Sequence, residues 1–230
     1  MKLESPSIKR GVLWSGKKFG FYNLLNIQIK MKIEEQNQIV DFLYEIGMLQ
    51  KTPRSGFQFL GSGGQSVAEH LHRASVIAFI LGLIEKVDNP YKVATMAMLH
   101  DVSEARISDL NYVHQKYNTR LEDKAHTDIV SSLPPYIGVE IKNIIDEYEN
   151  RETLESKLVK DADNLEWIMS LKEQADIGNG KALEWLPNAI ARLKTDSGKT
   201  LGEIIQSIRS DRWWFGDPKD SWWIDRQKSV

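Results

Sequence analysis

Residues 93–110 read VATMAMLHDVSEARISDL, and this stretch decides the fold. Its first half, Val93, Ala94, Met96, Ala97, Met98 and Leu99, is interior sequence with a helical pattern. It then runs directly into His100 and Asp101, with Glu104 and Asp109 close behind. Interior sequence normally avoids charge, because an ionised carboxylate taken out of water costs several kcal/mol unless something pairs with it. The pair therefore either sits at a solvent boundary or binds something.

Composition narrows what that something is. The chain has 230 residues, 41% hydrophobic and 27% charged, with a formal net charge of -2. That is the balance of a soluble chain able to bury a core, and one main domain is expected. There are 0 cysteines, which excludes disulfides and thiolate metal sites. Any metal must be held by His, Asp, Glu and water, which favours hard to borderline divalent ions. No apolar run reaches the roughly 18 residues that span a bilayer, and the amino terminus lacks a signal-peptide core, so a cytoplasmic protein without a membrane partner is expected. The near-neutral balance gives no basic footprint for duplex nucleic acid, leaving small substrates as the expected partners.

Outward from the opening stretch, the chain divides into three parts. Residues 1–30 form a basic extension (Lys2, Lys9, Arg10, Lys17, Lys18, Lys30) without sustained helical period, readable as a loosely attached segment or as a basic arm for a partner. Residues 31–210 carry helical periodicity throughout. Ile33, Ile39, Phe42, Leu43 and Ile46 share one helix face that Gly47 and Pro53 help to end. The run after Ser66 places His70, Ala74, Ile77, Leu81 and Ile84 on one stripe, with Val76, Phe79, Ile80 and Leu83 filling most of the rest, which predicts a helix buried all round. Asn89-Pro90 breaks it, the opening stretch follows as a helix, and 109–114 reads as a loop. Further helices are expected near 119–131, 137–149, 152–175, 183–194 and 201–209. Strand alternation is nearly absent, so the fold class is all-α: a compact multi-helix bundle with a metal site between helices. Residues 211–230 form an aromatic tail in which Trp213, Trp214, Trp222 and Trp223 alternate with Arg212, Lys219 and Arg226. Packing on the domain or on a partner subunit explains such a tail better than base stacking does.

Side chains of metal-ligand type occur where the buried helices begin or end: His70, His100, Asp101 and an aspartate of 158-LVKDADNLEW-167. Neighbours on a helix are about 100° apart, so His100 and Asp101 cannot share a face in mid-helix, although they can straddle one ion beside it. Two imidazoles and two carboxylates suit Mn, Co, Fe, Ni or Mg, with Zn an option. Periodicity puts Asp161 nearer the apolar face and groups Asp163 with Val159, Glu166, Trp167 and Ser170, so the fourth ligand stays open on these grounds and periodicity alone leans to Asp161. His72 reads as structural, Glu69 as a surface or cap residue, and His114 and His126 as polar surface or loop residues.

In order, 66-SVAEHLHRASVIAFIL-81, 97-AMLHDVSEARISDL-110 and 157-KLVKDADNLEWI-168 resemble the HD-domain metal-dependent phosphohydrolases, within them the branch similar to 5'-deoxynucleotidases. The resemblance covers residues 53–174 and includes the arginine-bearing lead-in 52-TPRSGF-57. It implies one divalent ion on His70, His100, Asp101 and Asp163, the last from the family's Lys, any residue, small residue, Asp order at 160–163. It makes Glu104 the group that manages the proton of the attacking water and Arg54 the phosphate clamp. Asp109 would orient the sugar or the leaving oxygen, and Lys116 would add charge near the phosphate. Asn164 stands where many relatives carry Lys, so a charge beside the ligand set is missing. The implied activity is hydrolysis of phosphomonoesters, foremost (deoxy)ribonucleoside 5'-monophosphates, by an expected homodimer. The alternatives are a nucleotide-binding regulatory module without turnover, and an HD-type phosphodiesterase.

Overall fold

The computed structural model describes residues 31–216 and residue 219; the basic extension and Trp222 and Trp223 lie outside these. Among the described residues the architecture is all-α, with a single isolated bridge pairing Pro53 and Ser66. The helices are α1 Ile33–Ile46, α2 Val67–Ile84, α3 Pro90–Leu99, α4 Glu104–Ile107, α5 Tyr112–Tyr117, α6 Glu122–Ser131, α7 Pro135–Asn150, α8 Leu154–Asp176, α9 Gly180–Ile190 and α10 Asp196–Ser207.

Local chemistry starts these helices where it should. Ser66 opens α2 with a capping box: its hydroxyl accepts from Glu69 N at 3.2 Å, while the Glu69 carboxylate accepts from Ser66 N at 2.6 Å. Asn89 caps α3, with Pro90 in the first turn. Thr153 caps α8, its hydroxyl accepting from Ser156 N. The 23-residue α8 is the pillar of the molecule, and α2, α3, α7, α9 and α10 pack around it. Leu81 of α2, Met96 of α3, Leu158, Leu165, Ile168 and Leu171 of α8 and Leu186 of α9 meet in the main core. Each such side chain stabilises the fold by about 1.5–3 kcal/mol when fully buried.

Five expectations need correction. The opening stretch is not one helix: α3 stops at Leu99, and residues 100–103 form a tight turn before the four-residue α4. Bonds from Val102 N to Leu99 O and from Glu104 N to Asp101 O close that turn three residues apart, and His100 and Asp101 therefore leave the helical geometry that would separate them. The 109–114 loop contains the start of α5, because Asn111 accepts from both Val113 N and His114 N and caps it. Nor is α2 buried all round. By length and a mean hydropathy of 1.4 it could cross a bilayer, yet only one side, with His70, Ala74, Ala78 and Leu81, is buried, and Val76, Ile80, Leu83 and Ile84 are exposed. On α1, Ile33 and Leu43 are exposed as well, and only Phe42 and Ile46 of the predicted face pack against Val102, Ile129 and Ile145. Finally, His126 is a buried residue of α6, not a surface one. In the tail, Trp213 and Trp214 are exposed.

Candidate functional site

The first turn of α2 delivers His70, the turn after α3 delivers His100 and Asp101, and the middle of α8 delivers Asp163. Nε2 of His70 lies 3.3 Å from Asp163 Oδ1 and 3.7 Å from Asp101 Oδ2. Nε2 of His100 lies 3.2 Å from Asp101 Oδ2 and 3.9 Å from Asp163 Oδ1. His70, His100 and Asp163 can present one ligand atom each within 4.8 Å of one another. Both Nε2 atoms are buried and make no hydrogen bond, whereas both Nδ1 atoms are engaged, His70 with Glu166 Oε2 at 2.6 Å and His100 with the Ala97 carbonyl at 2.8 Å. Buried polar atoms are ordinarily partnered, so two orphaned imidazole nitrogens aimed at two carboxylates are the donor set a divalent cation fits.

Electrostatics supports the same reading. Burial by itself would raise the Asp101 and Asp163 carboxyls, but His100 and Arg54 beside the first, and Lys160 and His70 beside the second, hold both well below the usual carboxylate range. Burial and the Arg54 charge push the His70 imidazole down, yet the nearby Asp163 carboxylate and the bond to Glu166 outweigh them and raise it to about 9.

The two aspartates of α8 have different surroundings. Asp163 faces the histidines and also accepts from Lys160 Nζ at 2.7 Å. Asp161 is fully buried on another side, where it accepts from Lys194 N at 2.9 Å, from Thr195 N at 2.7 Å and from the Thr195 hydroxyl at 2.7 Å. Its place near the apolar face thus reflects a structural tie to the α9–α10 connection.

A cavity of about 220 Å³ opens over this cluster, and Arg54, Asp101, Glu104, Asp109 and Asp163 line it. Arg54 Nη1 stands 3.4 Å from Asp101 Oδ2 and 3.4 Å from Asp109 Oδ2, and Nη2 stands 3.6 Å from Asp163 Oδ1. Asp109 is the anchor of the Arg54 loop, since its two oxygens accept from Ser55 N and the Ser55 hydroxyl, each at 2.9 Å. Glu104 is buried, with Arg120 3.6 Å away; burial first, then the Asp101 and Asp109 charges, push its carboxyl up to about 10.

Lys116 is the exception among the expected site residues: it is exposed on α5 and does not line the cavity. The helix cap at Asn111 turns α5 so that Tyr112 and Gln115 border the cavity in its place. Basic charge comes instead from Arg120, Lys160 and Arg192, and aromatic surface from Tyr112, Trp167 and Trp185; of these only Lys160 falls in a motif, as the lysine of the 160–163 order. Lys160 alone had a signal, its position three residues before Asp163 on one helix face.

Residues 46–205 match the family model described as HD domain. The chain is similar to the 5'-deoxynucleotidase HDDC2 of Danio rerio, 29% identical over 145 residues that make up 61% of this chain and 72% of that one. It is similar also to the 5'-deoxynucleotidase hdd1 of Schizosaccharomyces pombe, 29% identical over 159 residues, 66% of this chain and 79% of that one. Among solved structures, a structural-genomics crystal structure superposes with a TM-score of 0.62 at 32% identity, over 78% of this chain and 99% of the other. The family match runs from the end of α1 into α10 and takes in every residue of the histidine and aspartate cluster, and the chain belongs to the HD-domain family.

Proposed function

We propose that this chain is a metal-dependent phosphohydrolase that converts deoxyribonucleoside or ribonucleoside 5'-monophosphates to nucleoside and phosphate. The observation that carries the proposal is the pair of orphaned, buried Nε2 atoms of His70 and His100 beside Asp101 and Asp163, at the floor of a cavity walled by the Arg54 guanidinium. The names of the curated relatives support the same substrate class. His70, His100, Asp101 and Asp163 would hold one divalent ion, of Mn, Co, Mg, Fe, Ni or Zn type. When bound, such an ion polarises a phosphate oxygen and makes a nearby water more acidic.

The chain's own residues do the rest. Arg54 binds the phosphate through its planar fork, which matches phosphate oxygens two at a time. Asp109 keeps the Arg54 loop in place and borders the region of the sugar. Water oxygen bonds to phosphorus, the ester bond to the 5' oxygen breaks, and Glu104 handles the proton that must pass from the water to the leaving oxygen. Its carboxyl is buried, and burial and the Asp101 and Asp109 charges raise its pKa. Trp167, Trp185 and Tyr112 offer flat faces to the base. The assembly belonging to this reading is a homodimer, supported by the exposed apolar Val76, Ile80 and Leu83 of α2, and a cytoplasmic location is part of the same proposal.

Phosphate release by metal-loaded protein from a panel of nucleoside mono-, di- and triphosphates tests the proposal. Monophosphates should be cleaved, and Glu104→Gln should keep its metal while turnover falls by about a hundredfold or more. Tight nucleotide binding with no phosphate released from any substrate would replace the enzyme by a regulatory module without turnover.

A further inference from the structure

Two helices cross at the site, and each contributes a pair of residues three apart. On α2 the pair is His70 and Arg73, and on α8 it is Asp163 and Glu166, so on both helices a partner stands one turn from a candidate metal ligand. The partners interlock. Glu166 is fully buried, and its Oε2 lies 2.6 Å from His70 Nδ1. Its other oxygen, Oε1, accepts from Gln65 Nε2 at 2.6 Å, from Arg73 Nη2 at 2.7 Å and from Arg73 Nε at 3.0 Å. Arg73 in turn donates from Nη2 to the Ser170 hydroxyl at 2.6 Å and from Nη1 to Glu173 at 2.6 Å, which fixes its own fork. A carboxylate so placed has one oxygen committed to the arginine and the other to the imidazole. His100 has no counterpart: its Nδ1 meets a neutral carbonyl, that of Ala97.

The geometry points to Glu166 as a positioning residue that holds His70 with its proton on Nδ1 and its Nε2 lone pair free for the ion, while Arg73 balances the glutamate's charge. A carboxylate behind a metal-bound imidazole raises the basicity of the ligand and fixes its ring, and losing such a partner typically lowers metal affinity about tenfold to a hundredfold. The two histidines are then unequal: His70 is tuned by an anion and His100 by a backbone dipole. This inference rests on the metal reading proposed above.

The test is a calorimetric zinc or manganese titration of wild type, Glu166→Gln and Arg73→Met, each first checked for folding by circular dichroism. Both variants break the same hydrogen-bond network, but they change local charge in opposite directions. Affinity should fall about tenfold to a hundredfold in Glu166→Gln and hold or rise in Arg73→Met, a split that structural damage alone would not produce. Wild-type affinity in Glu166→Gln, or a loss of equal size in both variants, overturns the inference and leaves the metal reading standing. If wild type binds neither ion, both fall together. Should the variants not fold, long-range proton–nitrogen spectra of the zinc-loaded wild type decide, because His70 must show a protonated Nδ1, and a protonated Nε2 overturns the assignment.

Discussion

Asp161 and Asp163 sit two residues apart on α8, the first fully buried and the second partly open to the cavity, and their surroundings divide the helix into a structural side and a chemical side. Around Asp161 the described residues supply neutral donors, the backbone N–H groups of Lys194 and Thr195 and the Thr195 hydroxyl, and the carboxylate is satisfied within the fold. Around Asp163 it supplies Lys160, Arg54 and the two imidazoles, more positive and coordinating capacity than one carboxylate can use. A buried carboxylate that is fully hydrogen-bonded by backbone holds the fold together. One left facing orphaned nitrogens is kept for a ligand.

Substitutions can break that comparison or sharpen it. The largest effect is expected from Asp163→Ala, which should weaken divalent-ion binding in a titration by more than about a hundredfold, the upper end for loss of a mere outer partner, and reduce turnover with it. Asp161→Ala should do the reverse: unfolding by denaturant should show a loss of about 3 kcal/mol, since buried donors lose a charged acceptor, while the folded fraction binds metal as wild type does. An Asp161→Ala protein that is stable but does not bind metal would exchange the two assignments. Gly198 offers a milder probe of the same side, because a Cβ there would lie 2.4 Å from Asp161 Oδ2. Gly198→Ala should lower stability by about 1–3 kcal/mol and leave metal affinity unchanged.

The smallest effect belongs to the cap of α2, one turn before His70. Ser66→Ala should cost about 1 kcal/mol, measured by thermal unfolding near neutral pH. The Ser66 backbone N–H, followed by its hydroxyl, lowers the Glu69 carboxyl below its ordinary value of 4.5. A folded-state value below the unfolded one means that this contribution is fully present above about pH 4.5 and fades as pH falls through the folded value. The stability difference between wild type and Ser66→Ala should therefore shrink on acidification below that pH, and a difference that grows would remove the capping box as its source.

Much of this was legible in the chain. The apolar periods of 67–84 and 154–176, interrupted by His70 and by the Asp161 to Asp163 run, mark helices with a core-facing side that is polar at one point. The abrupt arrival of His100 and Asp101 after an interior run marks a site. Less legible were the residues whose role depends on a distant partner. Glu166 on a helix looks like any solvated glutamate until α2 brings Arg73 and His70 against it. Arg120 and Arg192 have no local signature, and Lys116, which follows the HD stretch closely in sequence, is turned away with α5.

The sequence by itself determined the fold class, the starts of α2 at Ser66 and α3 at Asn89-Pro90, and the set of histidines and carboxylates able to hold a cation, because periodicity, caps and donor chemistry are local properties of the chain. Only the tertiary structure decided which aspartate of α8 meets the histidines and which is consumed by backbone amides. It also decided that a turn, not a helix, lets His100 and Asp101 work side by side. Both outcomes depend on how α2, α3 and α8 pack around one another, and the direction in which a buried side chain finds its partner is fixed by that packing and not by its place in the chain.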